Sequence, residues 1–184
     1  MAWKIDVSHS RIMFSARHLM ITTVRGEFEK FDINFNFNEQ NPAASTVDVS
    51  IDAASINTRF GQRDDHLRSP DFLDAANHPT VNFKSTAVRV VDPNHAKLTG
   101  DLTIRGVTRP VTLDVESTGV MTTPWGATNA GFNARGKINR TDWGLNWNQV
   151  LEAGAVLVSE DVNIEIELEI TRVADTTPVE QQKA

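Results

Sequence analysis

Arg63-Asp64-Asp65-His66, with Arg59 and Arg68 on either side, is the densest group of chemically competent side chains in the sequence. A histidine beside two carboxylates could move a proton, hold a metal ion, or supply the hydrogen-bond partners of a ligand's polar head. On a helix, however, Asp65 and His66 diverge, and a metal site would need hard ligands three or four residues away that this segment lacks. The competing reading is a solvated helix face tied by the i,i+4 pair Asp64–Arg68. His18 is the second candidate. It falls in phase with Phe14 and Ala16 and is expected to face inward, either held by a neighbouring carbonyl or working as acid or base. No other motif supplies a reaction: there is no Gly-x-Ser-x-Gly elbow, no glycine-rich phosphate loop and no nicotinamide fingerprint. The chain has no cysteine, which excludes disulfides and thiolate metal sites.

The elements that must position these residues are written in period two. Val24, Gly26 and Phe28 mark one face, the series shifts at Phe31, and it resumes as Ile33, Phe35 and Phe37. The same alternation returns at Val81–Val91, Lys97–Ile104, Val111–Val115 and Val162–Ile170. Strands usually run about 5–6 residues, so longer ones predict one large antiparallel sheet that closes on itself and loses its edges. Strands are expected at Ala2–Val7, Arg11–Leu19, Thr22–Phe37 with a break near Lys30, Thr46–Asp52, Thr80–Val91, Ala96–Ile104, Pro110–Thr118, Asn129–Asn139 and Val156–Val173. Arg105-Gly106 supplies a tight hairpin turn. Between Ala53 and His78 the alternation stops. Asn57 or Thr58 is placed to cap a helix running to about Arg68, and Ser69-Pro70 to open a second one through Asp74. Both are expected to cover one mouth of the sheet.

At 184 residues and 20.4 kDa the chain fits one all-β domain over residues 1–173, followed by a polar, proline-interrupted tail over 174–184 that is expected to be disordered. A net charge of −6 and a pI near 5.3 exclude nucleic acid as partner, since clustered Lys and Arg must neutralise phosphate there. Eighteen consecutive apolar residues occur nowhere, so the protein is not expected to be embedded in a membrane. The opening Met-Ala-Trp-Lys-Ile-Asp enters a strand with no basic-then-apolar leader, which makes a cytoplasmic location the expectation.

The inward set predicted by the alternation holds bulky residues (Ile12, Phe14, Phe28, Ile33, Phe35, Phe83, Leu98, Leu102, Leu113, Phe132, Ile164, Ile166) interleaved with small ones, among them Ala16, Gly26, Gly100, Ala134 and Gly136. Small residues on the inner face leave volume for a ligand; equally, they serve a filled core whose glycines allow bends. A tryptophan at Gly100 or Ala16 distinguishes the two, displacing a ligand from a cavity or unfolding a core.

Several short segments are similar to the YceI-like proteins. Trp3-Lys-Ile-Asp-Val-Ser-His-Ser10 and Gly26-Glu-Phe28 with Phe31 resemble the family's opening. Ser55-Ile-Asn-Thr58, Arg63 to Ser69, Asp71-Phe-Leu-Asp74 and His78-Pro79 follow in its order, then Gly100 to Thr108, Ile138-Asn-Arg140, Trp143-Gly-Leu145 and Val158 to Val162. The resemblance spans about Trp3 to Val173. It implies a lipocalin-like eight-stranded antiparallel barrel with a short helical insert, often a homodimer, that needs no cofactor and binds polyisoprenoids or other long amphiphiles in its bore. It also puts Arg63, Asp64 and His66 near the mouth as contacts for a ligand head, beside the apolar set and His18.

Ten residues of strand span roughly 33 Å, which a tilt of about 40° reduces to a bore near 25 Å. At about 0.8 kcal/mol per buried CH₂, ten carbons supply about 8 kcal/mol before ordering costs. The expected function is therefore non-enzymatic binding, storage or transport of an isoprenoid or fatty-chain lipid. The alternative is an enzyme acting on a lipid head group with His66, Asp64 or His18 as acid and base.

Overall fold

The structure, a computed structural model, describes residues 2–173; the tail expected over 174–184 lies outside the described residues. Its strands are β1 (Ala2–Ile5), β2 (Arg11–His18), β3 (Thr22–Phe28), β4 (Phe31–Asn36), β5 (Thr46–Asp52), β6 (Ile56–Asn57), β7 (Thr80–Asp92), β8 (His95–Ile104), β9 (Val107–Thr122), β10 (Thr128–Asn139) and β11 (Val158–Val173). All ladders are antiparallel and belong to one 11-stranded sheet.

The strand count exceeds the expected eight because three strands are interrupted. β1 and β2 occupy successive stretches of the same edge of β11, with Ile5 opposite Ile170 and Arg11 opposite Glu167. β3 and β4 are one bent run of chain, broken at Glu29-Lys30. They face the equally broken run β5–β6, with Phe31 opposite Ile51 and Phe28 opposite Ile56. The shared interruption is stitched by hydrogen bonds from Asp52 N to Lys30 O at 2.9 Å and from Glu29 N to Ser55 O at 3.1 Å. Counting each broken run once leaves eight positions around the ring: β1–β2, β3–β4, β5–β6, β7, β8, β9, β10 and β11. The sheet thus curls into the lipocalin-like eight-position barrel.

The outer face is polar and held in register by cross-strand pairs. Thr99 and Thr112 hydroxyls meet at 2.9 Å, Lys97 pairs with Asp114, and Arg135 pairs with Glu165 at 3.1 Å. The β8–β9 hairpin turns on Arg105 and Gly106, both at positive φ (50° and 75°), as the Arg-Gly pair predicts.

The insert between β6 and β7 contains one helix, α1 (Gly61–Arg68). The second helix expected at Ser69–Asp74 is absent. Phe72 N and Asp74 N both donate to Ser69 O, and Leu73 N reaches back to Leu67 O, so the segment coils as turns against α1. The Ser-Pro signal marks the turn equally well, and packing of Phe72 and Leu73, 5% and 8% exposed, selects the tighter path. The helix start also differs: Phe60 occupies the N-cap position, and Thr58 instead donates to Asp64.

Asp6 and His9 form the corner between β1 and β2. Hydrogen bonds from Ser8 and then His9 hold the Asp6 carboxyl down at about 2, and the Asp6 hydrogen bond raises His9 above its ordinary value. A depressed carboxylate stabilises above its unfolded value of 3.8 and loses that contribution as pH falls towards 2; a raised imidazole stabilises below 6.5 and loses it as pH climbs through the folded value. The corner is tightest between about pH 4 and 6.5. NMR titration should place His9 above 6.5, and Asp6→Asn should bring it back to the ordinary histidine range; an unchanged His9 titration in the variant would refute the pairing.

Candidate functional site

The ring encloses a cavity of about 360 Å³. Its walls are the inward faces of every ring position, because alternation along each strand sends one set of side chains to a common interior. Ile12, Phe14, Ala16, Phe28, Ile33, Phe35, Phe83, Leu98, Leu102, Leu113, Phe132, Ile164 and Ile166, all expected to face inward, line it. So do Ala134 and, from the insert, Leu67, Phe72 and Leu73. At one end, Asn36, Ser45 and Thr46 add polar atoms beside Phe37. There Phe37 stacks edge-on against Phe132 at 5.2 Å and against Trp3 at 6.0 Å. The Arg172 guanidinium lies 4.6 Å from the Trp3 ring and pairs with Glu39 at 2.6 Å, while Trp3 Nε1 donates to the same carboxylate.

At the other end the insert forms a lid, and beneath it sits Arg140, which carries the only ionisable side chain among the described lining residues. Arg140 is 5% exposed. Its Nε donates to Ser159 O at 2.9 Å, Nη1 to Leu145 O at 2.5 Å and Nη2 to Val158 O at 3.4 Å. Its carbon centre lies 5.7 Å from the Phe72 ring. Three of five N–H donors therefore go to backbone carbonyls, and among the described residues no carboxylate reaches ion-pair distance of it. Burial pulls its pKa below the ordinary guanidinium value, opposed by the more distant Glu160. The group stays a cation on an apolar wall.

The polar patch singled out from sequence sits elsewhere. Asp64 is buried but accepts from Thr58 N at 2.9 Å and Thr58 Oγ1 at 2.5 Å, so it ties the insert to β6 and does not pair with Arg68. Arg63 donates to Thr58 Oγ1 and Thr58 O; Arg68 pairs with Asp65 and with the carbonyls of Ala54 and Ile56. His66 Nε2 meets Asp71 at 2.8 Å, and its ring stands edge-on to Trp147 at 4.5 Å. These groups hold the lid from behind, and none lines the cavity. His18 lies at the end of β2 opposite Thr22 and Val158 and does not line it either. The acid–base set is not brought together.

Gly100 requires the second correction. It has the inward phase, yet a Cβ built there would stand 2.3 Å from Phe83 Cζ and 2.6 Å from Lys84 O. Gly26 likewise seats the Phe14 ring, 2.4 Å from a Cβ, and Gly136 seats Leu113 at 2.5 Å. The inner glycines accept the large side chains of neighbouring strands and do not leave open volume. Arg140 escaped the sequence reading, although its segment was singled out with Ile138 and Trp143. A basic residue between a strand and a buried tryptophan (Trp143, 3% exposed, its Nε1 on Leu102 O at 3.0 Å) was the available signal. Asp6, His9 and Glu169 could together reach a metal ion, but they lie outside the cavity wall.

Comparison with known proteins agrees with this fold. The YceI-like domain profile matches residues 3–170. The protein YceI of Escherichia coli O157:H7 is 43% identical over 145 residues, 78% of this chain and 75% of that one. The crystal structure of the Campylobacter jejuni YCEI protein superimposes with a TM-score of 0.74 at 32% identity, covering 86% of this chain and 90% of that one. Burkholderia cenocepacia BcnA shares the fold at a TM-score of 0.78 and 23% identity, covering 90% and 99%. So does a Saccharophagus degradans domain described as polyisoprenoid binding, at 0.66 and 14%, covering 94% and 99%.

The two small inward positions should now behave differently. Ala16→Trp points into the cavity and should melt near the parent temperature. Gly100→Trp must displace the Phe83 ring and the backbone of Lys84, at a cost of about 1–3 kcal/mol or more. Thermal melts of both variants check this; equal melts would contradict the assignment of Gly100 to the packed wall.

Proposed function

This chain belongs to the YceI-like family, and on that footing we propose that it binds one long apolar chain lengthwise in the barrel, without chemical change, with the chain's polar end at Arg140. The observation that carries the reading is the size and character of the cavity. Apolar side chains wall nearly all of the 360 Å³, so an occupant gains about 0.8 kcal/mol for each CH₂ it buries there.

Arg140 supports an amphiphile over a plain hydrocarbon. A buried guanidinium with two N–H donors free of carbonyls favours an oxygen-bearing end group, anionic or strongly accepting, because such hydrogen bonds are short and charge-assisted. A polyisoprenoid or isoprenoid-quinone-like lipid fits both ends of the cavity, and the polyisoprenoid-binding Saccharophagus degradans domain of the same fold is consistent with that class. The absence of a converging acid, base and nucleophile on the described wall supports binding, storage or transport over an enzyme acting on the head group.

Native mass spectrometry and organic extraction of the purified protein test the reading. One chain per protein is expected, with markedly less recovered from Ala16→Trp. Protein from several hosts that yields no lipid would overturn it. A homodimer belongs to the same proposal on family resemblance; light scattering should give twice the chain mass, and a monomer across the micromolar range would remove that part.

A further inference from the structure

The β2–β3 hairpin turns where its sequence is least suited to turn. Ile21 N donates to His18 O at 3.0 Å, and the two central residues, Leu19 and Met20, stand at φ of 53° and 57°. This is the left-handed pair of a type I′ turn, the place for Asn-Gly, occupied by two bulky apolar residues. The strain brings little burial in return: Leu19 is half-buried, while Met20 is 58% exposed and the adjoining Ile21 72%. Beside them, Leu19 N donates to Leu157 O, and the 149–157 segment adds Val150 at 78% exposure. Along the other edge of β3 the chain leaves β6 towards the same end and turns at Arg59, again at positive φ (64°), to expose Phe60 at 55%.

Charge on this rim opposes that of the whole molecule. Residues 17–26 and 57–63 together hold Arg17, Arg25, Arg59 and Arg63 and no carboxylate, in a chain of net charge −6. Arg17 Nη2 donates to Met20 O and Nη1 to Thr23 Oγ1, both at 3.2 Å, fixing one cation at the base of the tip. Arg63 lies 5.6 Å from the Phe60 ring. Glu27, Asp65, Glu152, Glu160 and Asp161 flank the rim, with Glu27 paired to Arg11, Asp65 to Arg68 and Asp161 to Lys137. Inside the same end lie Ala16, Val158 and Leu67 of the cavity wall.

From apolar tips held out at conformational cost, ringed by arginine and placed over the lid, we infer that this rim docks on an anionic lipid bilayer, inserting Met20, Ile21, Val150 and Phe60 between headgroups. The inference rests on the cavity's holding a lipid, since a water-insoluble chain has to be collected from or delivered to such a phase. Exposed apolar patches rimmed by basic residues bind membrane surfaces through both terms, and each arginine at an anionic surface multiplies affinity roughly fivefold.

Flotation of the full chain with phosphatidylcholine vesicles, with and without phosphatidylglycerol, tests this. Binding is expected only with phosphatidylglycerol, weakened by salt, and reduced about fivefold by Arg17→Gln. Met20→Ser/Ile21→Ser should abolish flotation at an unchanged melt. Replacing Leu19-Met20 by Asn-Gly should lower flotation while raising the melting temperature by about 4 °C, a pairing a merely structural turn would not give. Trp125→Ser, at the hairpin tip of the opposite end (81% exposed), should leave flotation unchanged. No flotation by the wild type, or loss only in Trp125→Ser, overturns the inference. Wild type that yields extracted lipid but does not float overturns docking alone; wild type that floats but carries no lipid supports docking and defeats the cavity reading.

Discussion

An apolar interior that its own side chains do not fill is the constraint on which the structure depends. Eight strand positions make a ring whose inward residues can either fill it or leave room for one small ligand, and here a cavity of about 360 Å³ remains. Every other feature manages that space. The glycines at positions 26, 100 and 136 let Phe14, Phe83 and Leu113 fold down against the wall. The Trp3–Phe37–Phe132 stack closes one end, and Leu67, Phe72 and Leu73 close the other. The wall is packed; the axis is not.

The polar groups serve the same end indirectly. Asp64, Arg63 and Thr58 bind the insert to the edge of the sheet, and His66 leans on Trp147 behind Phe72. Arg140 fastens the 145 and 158–159 segments through their carbonyls. Among the described residues no carboxylate pairs with it directly, and Glu160 acts on it only from a distance. A buried cation fully paired with an acid would have built the lid equally well and offered a ligand nothing.

Much of this was legible in the residues. β5 was read at Thr46–Asp52 as found, the break near Lys30 was visible as a phase shift, and the inward set follows from alternation alone. Three things were not. Period two reports which face a residue takes, not what a neighbouring strand lays across it; Gly100 faces inward as expected, yet Phe83 covers it. Phase also says nothing of height, so His18 keeps step with Ala16 but lies at the strand end, where β11 shifts register between Val158 and Val162. Ser69-Pro70 marks a helix start and a turn equally, and only the burial of Phe72 and Leu73 decided between them. The ring's eight positions were hidden for a related reason: two interruptions at one height, at Lys30 and at Ala53–Ser55, cancel in space but not in sequence.

The proposed occupant is a chain lying along the barrel axis from Arg140 to Phe37. Isotope-filtered NOE spectroscopy reads it directly, on protein with labelled Ile, Leu and Val methyls carrying its co-purified, unlabelled occupant. Contacts to Ile33, Val49, Leu102 and Ile166 of the wall, and none to the outward methyls of Val7 or Val91, are the predicted result. Intermolecular contacts confined to the exposed methyls, with wall methyls seeing only one another, would contradict it.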